Sequence, residues 1–421
     1  MKILLAHPGK QHSFETATAL KKNGMLYKYV TSVYIKDGSY TNKVQSILRG
    51  NNKKKALGRS CAALSADDVI QFNEGLFLVL LLISKIPNTM PLWRYLNDRF
   101  TDSFGKKVAE YAIRENVDAV ICYDSNSMVL FDILKRKAPH IKRIMDVSTA
   151  NRLFMKDEFD KYIKKGGESS IRKEQSFLWK KTKQNRFFRE IRDTEYFLVP
   201  SQFVKESLLY SGIRREQIAV VPYGVDLEKF RYQKKKAFHG NLKLVYVGQI
   251  TYKKGIDYML KVISQFPNDR VSITLAGAYN TSNHIYRKYK NCRNIKFLGF
   301  VTRDILAQVY HEADVFVFPT LGEGFGMVVL EAMGCGLPAI VSDHAGGNDV
   351  VAAGKNGFEF EAGNEKMLKD KIEWFLNNPD RLPEMSENAY HTAKNYTWDR
   401  YHEMVSKAIA RMIEGCLPDI L

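Results

Sequence analysis

The sequence predicts an α/β protein of two domains, each built on an open parallel sheet. Three observations predict it. A length of 421 residues is more than one hydrophobic core usually organises, and enough for two. Short apolar runs ending in Gly, Pro or polar turns alternate with segments of helical period, the pattern of βαβ units. A strand, a loop and a helix start also follow one another in both halves: Lys2 to Lys22, Lys243 to Gly255, and Val315 to Met333.

Lys2 to Ala6 reads as the first strand, His7 to Ser13 as a loop and Phe14 to Lys22 as a helix stopped by Asn23-Gly24. In open α/β sheets the loop after the first strand lies at the ligand crevice, so Gly9, Lys10 and His12 are candidates for an acceptor side of a cleft. His7 and His12 read equally well as residues that merely start the helix. Val30 to Ile35 is the expected second strand. Asn42 to Arg59 is basic and includes Lys53-Lys54-Lys55; Leu76 to Ile83, LFLVLLLI, follows and stops before Lys85 and Pro87. That run is too short to cross a bilayer. Burial is its default, with an acyl or prenyl groove or an interfacial patch as alternatives. Ala119 to Cys122 and Arg143 to Val147 are further strands, and Asp146 and Ser148 at a strand end join the acceptor-side candidates. No general base is assigned. Asn151 to Asp193 mixes charges with aromatics such as Phe154, Phe159, Tyr162 and Trp179. A helix pair with solvated faces is expected there, a membrane-facing surface being the alternative. Tyr196 to Pro200 is a strand, Ser201 caps a helix, and the polar stretch Arg231 to Asn241 reads as a linker.

The second half opens with strand Lys243 to Val247, then Gly248-Gln249 and Lys253-Lys254-Gly255. Lys254 could reach a diphosphate as a point charge. The densest signal is Phe316 to Val351. A buried strand ends at Pro319, a turn with Gly322, Gly324 and Gly326 surrounds Glu323, and a helix from Met327 carries Glu331. Free N–H groups and the dipole at a helix start favour an anion, and glycines let backbone approach a ligand. Carboxylates accept hydrogen bonds from hydroxyls, so Glu323 and Glu331 read as receivers of sugar or ribose hydroxyls. A tight turn with one exposed helix Glu is the bland alternative.

Glu323 to Glu331, EGFGMVVLE, resembles the two-glutamate signature of glycosyltransferase family 4, and HEADVFVFPT before it and EAMGCGLPAIVSDHAGG after it agree. Val221 to Asp226 and Tyr396-Thr-Trp398 resemble the same family's hinge and final bend. The resemblance is strong over about 196–412 and a matter of pattern before that. It implies the GT-B fold: two Rossmann-like, doubly wound domains facing a central cleft. They would span 1–197 for the acceptor and 198–395 for the donor, with 396–421 a helix crossing back onto the first. It implies a retaining hexosyltransferase using a nucleotide-diphosphate sugar. Glu323 would hold the donor sugar and Glu331 the ribose. Catalytic weight falls on Glu323 and Lys254. The donor set is Gly248, Gln249, Lys254, Val301, Glu323, Gly324, Phe325, Gly326, Met327, Val328 and Glu331. The family has Arg where this chain has Gln249, which leaves the diphosphate to Lys254 and the helix terminus.

The net charge is +18. Residues 1–200 carry 36 Lys and Arg against 21 Asp and Glu, so the basic excess sits in the first half. An anionic partner follows from that, an anionic membrane surface being the candidate; plain solvated lysine is the other reading. No nucleic-acid module is visible, so no nucleic acid is expected. Five cysteines are scattered with no C-x-x-C pair, which predicts free thiols, no structural metal and a reducing compartment. No Asp-x-Asp motif appears, so no cofactor and a metal-independent reaction are expected. No signal peptide or spanning segment is read, so the expected location is cytoplasmic, peripheral to the membrane if bound. The acceptor class is a saccharide or lipid-linked saccharide, as in cell-surface polysaccharide or lipopolysaccharide assembly. Three other readings stand beside this: a glycoside hydrolase with paired carboxylates, a phosphorylase of the same fold, and a non-catalytic basic protein binding membrane or nucleic acid.

Overall fold

The computed structural model describes residues 1–49, 53, 56–84, 86 and 89–416. Lys54, Lys55, Lys85, Pro87 and the last five positions of the expected 396–421 segment lie outside the described residues.

Among the described residues thirteen short strands form two sheets. The first contains β1 (Ile3–Ala6), β2 (Leu26–Thr31), β3 (Val69–Gln71), β4 (Ala119–Tyr123), β5 (Lys142–Asp146), β6 (Tyr196–Val199) and β7 (Ile218–Val220). Their order is β3-β2-β1-β4-β5-β6-β7. The second contains β8 (Leu242–Val247), β9 (Val271–Ala276), β10 (Ile295–Gly299), β11 (Val315–Phe318), β12 (Ala339–Ser342) and β13 (Gly357–Phe360), ordered β10-β9-β8-β11-β12-β13. Every strand pair is parallel. Parallel sheets are covered by helices on both faces, which is why β1, β4, β11 and β12 read as unbroken apolar runs: every residue in them is buried. The order reverses between β1 and β4 in one sheet and between β8 and β11 in the other. Those switch points are where such folds bind ligands.

Two expectations about the first domain change. The second strand is Leu26–Thr31, not Val30 to Ile35. Gly24 takes a left-handed φ of 63°, Ile3 N–H donates to Met25 O at 3.0 Å, and the chain enters the sheet immediately. The first sheet also does not end at residue 197, because β6 straddles that point and β7 follows it. The expected linker Arg231 to Asn241 is largely exposed, with one anchored point. Lys235 is buried and donates to His311 O at 2.7 Å, and burial lowers its pKa to about 8.

The final helix, Trp398–Glu414, starts at the Thr397 cap and lies across the helix Ser13–Lys22 of the first domain. Thr16 and Tyr401 hydroxyls meet at 2.8 Å, His402 Nε2 and the Glu15 carboxylate at 3.0 Å, and Asn23 donates to Ser406 at 3.1 Å. The charged stretch Asn151 to Asp193 forms helices, and most of its aromatics are packed, Phe188 being exposed. Phe159 and Phe187 are buried, Phe154 stacks edge-on to Phe203, and a Cβ on Gly363 of the second domain would touch the Tyr162 ring at 2.6 Å. Part of this segment packs at the seam between domains, while the helix Lys181–Arg192 keeps an exposed face at Lys181, Asn185, Phe188 and Arg189.

Candidate functional site

The loops after β8 and β11 are tied together before any side chain is considered. Leu321 N–H donates to Lys253 O at 2.8 Å, and a Cβ on Gly255 would collide with Pro319 O, so only glycine fits at this left-handed turn. That crossing sets Lys254 against Glu323, and the ammonium donates directly to the carboxylate. Burial, with the Lys253 charge beside it, lowers the Lys254 pKa to about 7 against the opposing pull of the Glu174 carboxylate.

Glu323 is held by its backbone, with its N–H on His344 O at 2.9 Å and a bridge to Ala345. Three residues on, Gly326 caps the helix Met327–Gly334 with φ 81°, and a Cβ there would press on the Phe318 ring at 2.7 Å. Val329 N–H bonds back to Gly326 O, so the N–H groups of Gly326, Met327 and Val328 stand ahead of the helix's own ladder. Glu331 lies on this helix and is buried, which removes the bland alternative of an exposed helix Glu. Burial raises its carboxyl pKa, while Arg303 and Tyr310 nearby pull it down.

Gly248 follows β8 with its N–H on Ala276 O at 3.0 Å, and Gln249 is exposed with Tyr246 OH donating to its carbonyl at 3.0 Å. Val301, half-buried, follows β10. Phe325, also in the expected donor set, turns its ring inward. Its side chain is buried and packs on Tyr223 with ring centroids 5.5 Å apart. Gly324 is also committed to the seam: Ser201 Oγ donates to its carbonyl at 2.6 Å, and a Cβ would strike Ser148 O.

On the first-domain side, Lys10 is exposed, and partial desolvation of its ammonium together with the Arg303 and Arg59 charges lowers its pKa. Gly9 donates to His7 Nδ1 at 3.0 Å, and burial lowers the His7 pKa to about 4, leaving it neutral. His12 and Asp146 are separate candidates in the sequence; in the fold they pair at 2.8 Å, under Tyr223, whose hydroxyl is 3.3 Å from the same His12 nitrogen. Their side chains are 7 % and 4 % exposed, so the pair is a clasp beneath the cleft more than a surface for a substrate. Ser148 Oγ donates to Asp124 at 3.4 Å.

Sequence reasoning missed a cavity of about 250 Å³ between the domains, lined in part by Asp124, Ser125, Arg152, Lys253 and Gly322. Arg152 donates to Ser125 Oγ at 2.6 Å, and burial raises the Asp124 pKa. Glu174 accepts from the N–H groups of Tyr252 at 2.9 Å and Lys253 at 3.1 Å, tying the first domain to the loop that carries Lys254. Tyr123-Asp124-Ser125 at a strand end was the available signal. Arg152 and Glu174 sit in the charged stretch with no local mark. Among the described residues no cluster of three or more His, Cys, Asp or Glu is placed to hold a metal, and no helix is long and apolar enough to cross a membrane.

The topology and the two facing switch points are those of the GT-B fold. Residues 228–392 match the family described as Glycosyl transferases group 1. Glu323, Glu331 and Lys254 all lie in this glycosyl transferases group 1 segment. The chain is 28 % identical over 220 residues to the sulfoquinovosyl transferase SQD2 of Arabidopsis thaliana, covering 49 % of this chain and 42 % of that one. It is 28 % identical over 215 residues to the capsular polysaccharide biosynthesis glycosyltransferase CapM of Staphylococcus aureus, covering 46 % and 56 %. The match thus spans about half the length of the curated relatives. Among solved structures, Anabaena Alr3699/HepE in complex with UDP-glucose superposes with a TM-score of 0.61 at 16 % identity, covering 97 % of this chain and 99 % of that one.

Proposed function

We propose that this protein is a retaining glycosyltransferase, moving a hexosyl group from a nucleotide-diphosphate sugar to a saccharide or lipid-linked saccharide in cell-surface polysaccharide or lipopolysaccharide biosynthesis. The observation that carries the reading is the Lys254–Glu323 contact at the N-terminus of the helix that bears the buried Glu331. Each partner in that contact substitutes for the other's ligand. When a donor enters, its diphosphate takes the ammonium and the amides of Gly326 to Val328, and its sugar hydroxyls take the Glu323 carboxylate. Glu331, already desolvated, gains the two ribose hydroxyls.

As the glycosidic bond to the diphosphate breaks, negative charge grows on the leaving oxygen. An ammonium and fixed amide dipoles aimed at that oxygen stabilise it without reorganising, the largest kind of contribution an enzyme makes. In this reading the leaving diphosphate is stabilised without a metal. The UDP-glucose complex of the HepE structure and the polysaccharide role in the CapM name support a nucleotide-sugar donor and a glycan acceptor. The protein would work in the cytoplasm, where nucleotide sugars are made.

Calorimetric titration with UDP-, GDP- and ADP-sugars tests the proposal. One of them is expected to bind and to raise the melting temperature by mass action. Glu331→Gln should weaken that binding by roughly tenfold to a hundredfold, because the buried group loses acceptor capacity toward two hydroxyls. Turnover should survive chelation of divalent ions, and the product anomer should match the donor. Indifference to every donor, with Glu331→Gln silent, would end the proposal.

A further inference from the structure

Burial is the default expectation for Leu76 to Ile83, and the structure buries only part of it. In the helix Glu74–Ile83, Leu80 is in the core, but Leu76, Val79 and Leu82 form an outward stripe at helical spacing, Leu82 being 64 % exposed. Neighbouring helices extend that face. Thr41 N–H and Oγ1 both donate to Glu74 at 2.6 Å, which fixes the helix Tyr40–Ile47, and its outer stripe is Tyr40, Val44 and Ile47, the last 79 % exposed. Phe77 packs on Phe100 with centroids 5.1 Å apart, fixing the helix Met90–Arg114, whose first turns expose Leu92 and Tyr95.

Exposed apolar side chains scattered singly need no explanation, but a run of them across three joined helices does. The charges around them choose the occupant. Among the described residues of 40–99 there are six Lys and Arg against four Asp and Glu. Lys43 lies within the Tyr40–Ile47 stripe, and the Arg99 guanidinium sits over the Tyr95 ring at 5.3 Å. Glu74 is turned inward onto Thr41, and Asp98 is paired with Lys183 at 2.6 Å. A second copy of the chain would bring the same positive charge to the same face. A bilayer with anionic headgroups brings the opposite charge, and its acyl boundary accepts leucines and isoleucines.

We infer that this three-helix face docks the protein on an anionic bilayer, the apolar stripes entering the acyl boundary and Lys43, Arg94 and Arg99 meeting the headgroups. The inner side of the central helix reaches the cleft: a Cβ on Gly9, in the loop after β1, would lie 3.5 Å from the Phe77 ring. Docking therefore holds the first-domain lip of the cleft at the lipid surface, where an acceptor carried on a lipid would be presented. That last step rests on the glycosyl-transfer reading; the docking does not.

The test is flotation of the full chain with vesicles of phosphatidylcholine alone and of phosphatidylcholine mixed with phosphatidylglycerol, alongside Leu82→Glu and Ile47→Glu. Both positions are exposed, so the variants should keep the parent melting temperature and donor affinity. The expected result is salt-sensitive flotation with the anionic vesicles only, reduced roughly tenfold or more in each variant. No flotation, or flotation unchanged by both variants, overturns the inference. So does a parent oligomer that the variants turn into monomers, which would make the face a contact between copies. Loss of lipid binding with donor binding intact leaves the proposed function standing. Absence of donor binding with flotation intact removes that function and leaves the docking face.

Discussion

Lys254 is the residue at which chemistry and environment meet. In the free protein, burial and Lys253 hold its pKa near 7, so the cation is fully present only below that pH. A bound diphosphate prefers the charged form and raises the pKa, so above pH 7 binding must take up a proton. Donor affinity should therefore be highest below pH 7 and weaken as pH rises through 8, by up to about tenfold per unit. Lys254→Arg should flatten the profile, since guanidinium stays charged throughout. Lys254→Ala should cost roughly a hundredfold to a thousandfold in kcat/KM while moving the melting temperature by about 3 °C. Comparable damage to turnover and to stability would make the lysine structural. The sequence marks Lys254 and Glu323 as two candidates for one ligand, and only the fold shows that the two side chains touch each other. Likewise His12 and Asp146 are marked singly, 134 positions apart, and only the fold brings them to 2.8 Å. Phe325 stands inside the signature, yet its ring serves the seam, because a motif identifies a stretch of backbone and not the direction of each side chain.

At the scale of elements, strands surrounded by helices were legible because both faces are apolar, and the end of β11 at Pro319 was read to the residue. The glycine turn after β11 was legible too, since left-handed backbone restricts the residue type. What covers an apolar helix is not written in the helix, so LFLVLLLI could not be sorted into core or surface from its own text. Gly326 offers a test of the turn. Gly326→Ala strains a φ of 81° and meets Phe318 and the Glu323 side chain, with nearest distances of 2.7 and 3.6 Å. It should cost about 1–3 kcal/mol of stability and displace the amides that receive the diphosphate. Gly240 is the control, with φ 88° and open space for at least 4 Å around the place a Cβ would take. Gly240→Ala should cost about 1 kcal/mol and leave donor affinity unchanged. Equal effects of the two on affinity, measured by titration, would detach the turn from donor binding.

The whole molecule is held at its cleft by backbone approaches that tolerate no side chain. Gly324 is the tightest of these. Its carbonyl receives Ser201 from the first domain, and a Cβ would run into the Ser148 carbonyl and the Thr149 backbone. Other ties cross the seam as well: Lys165 to Glu361 at 2.7 Å, Gln202 N–H to Asp349 at 2.7 Å, and Glu174 to the Lys253 loop. The ion pair among them is exposed and weak. Neither sheet's core involves Gly324, so Gly324→Ala should leave each domain folded while forcing them apart. If the acceptor hydroxyl is delivered from the first domain to a sugar held on the second, a separation of about 1 Å is enough to cost roughly a hundredfold in turnover. Donor affinity, which depends on Lys254, Glu331 and the helix N-terminus of one domain, should fall far less. The expected signature is a lowered kcat, a donor dissociation constant within about threefold of the parent, and a larger radius of gyration in solution scattering. An unchanged kcat in a particle of increased radius would show that transfer does not need the closed seam, and that both substrates are held by one domain.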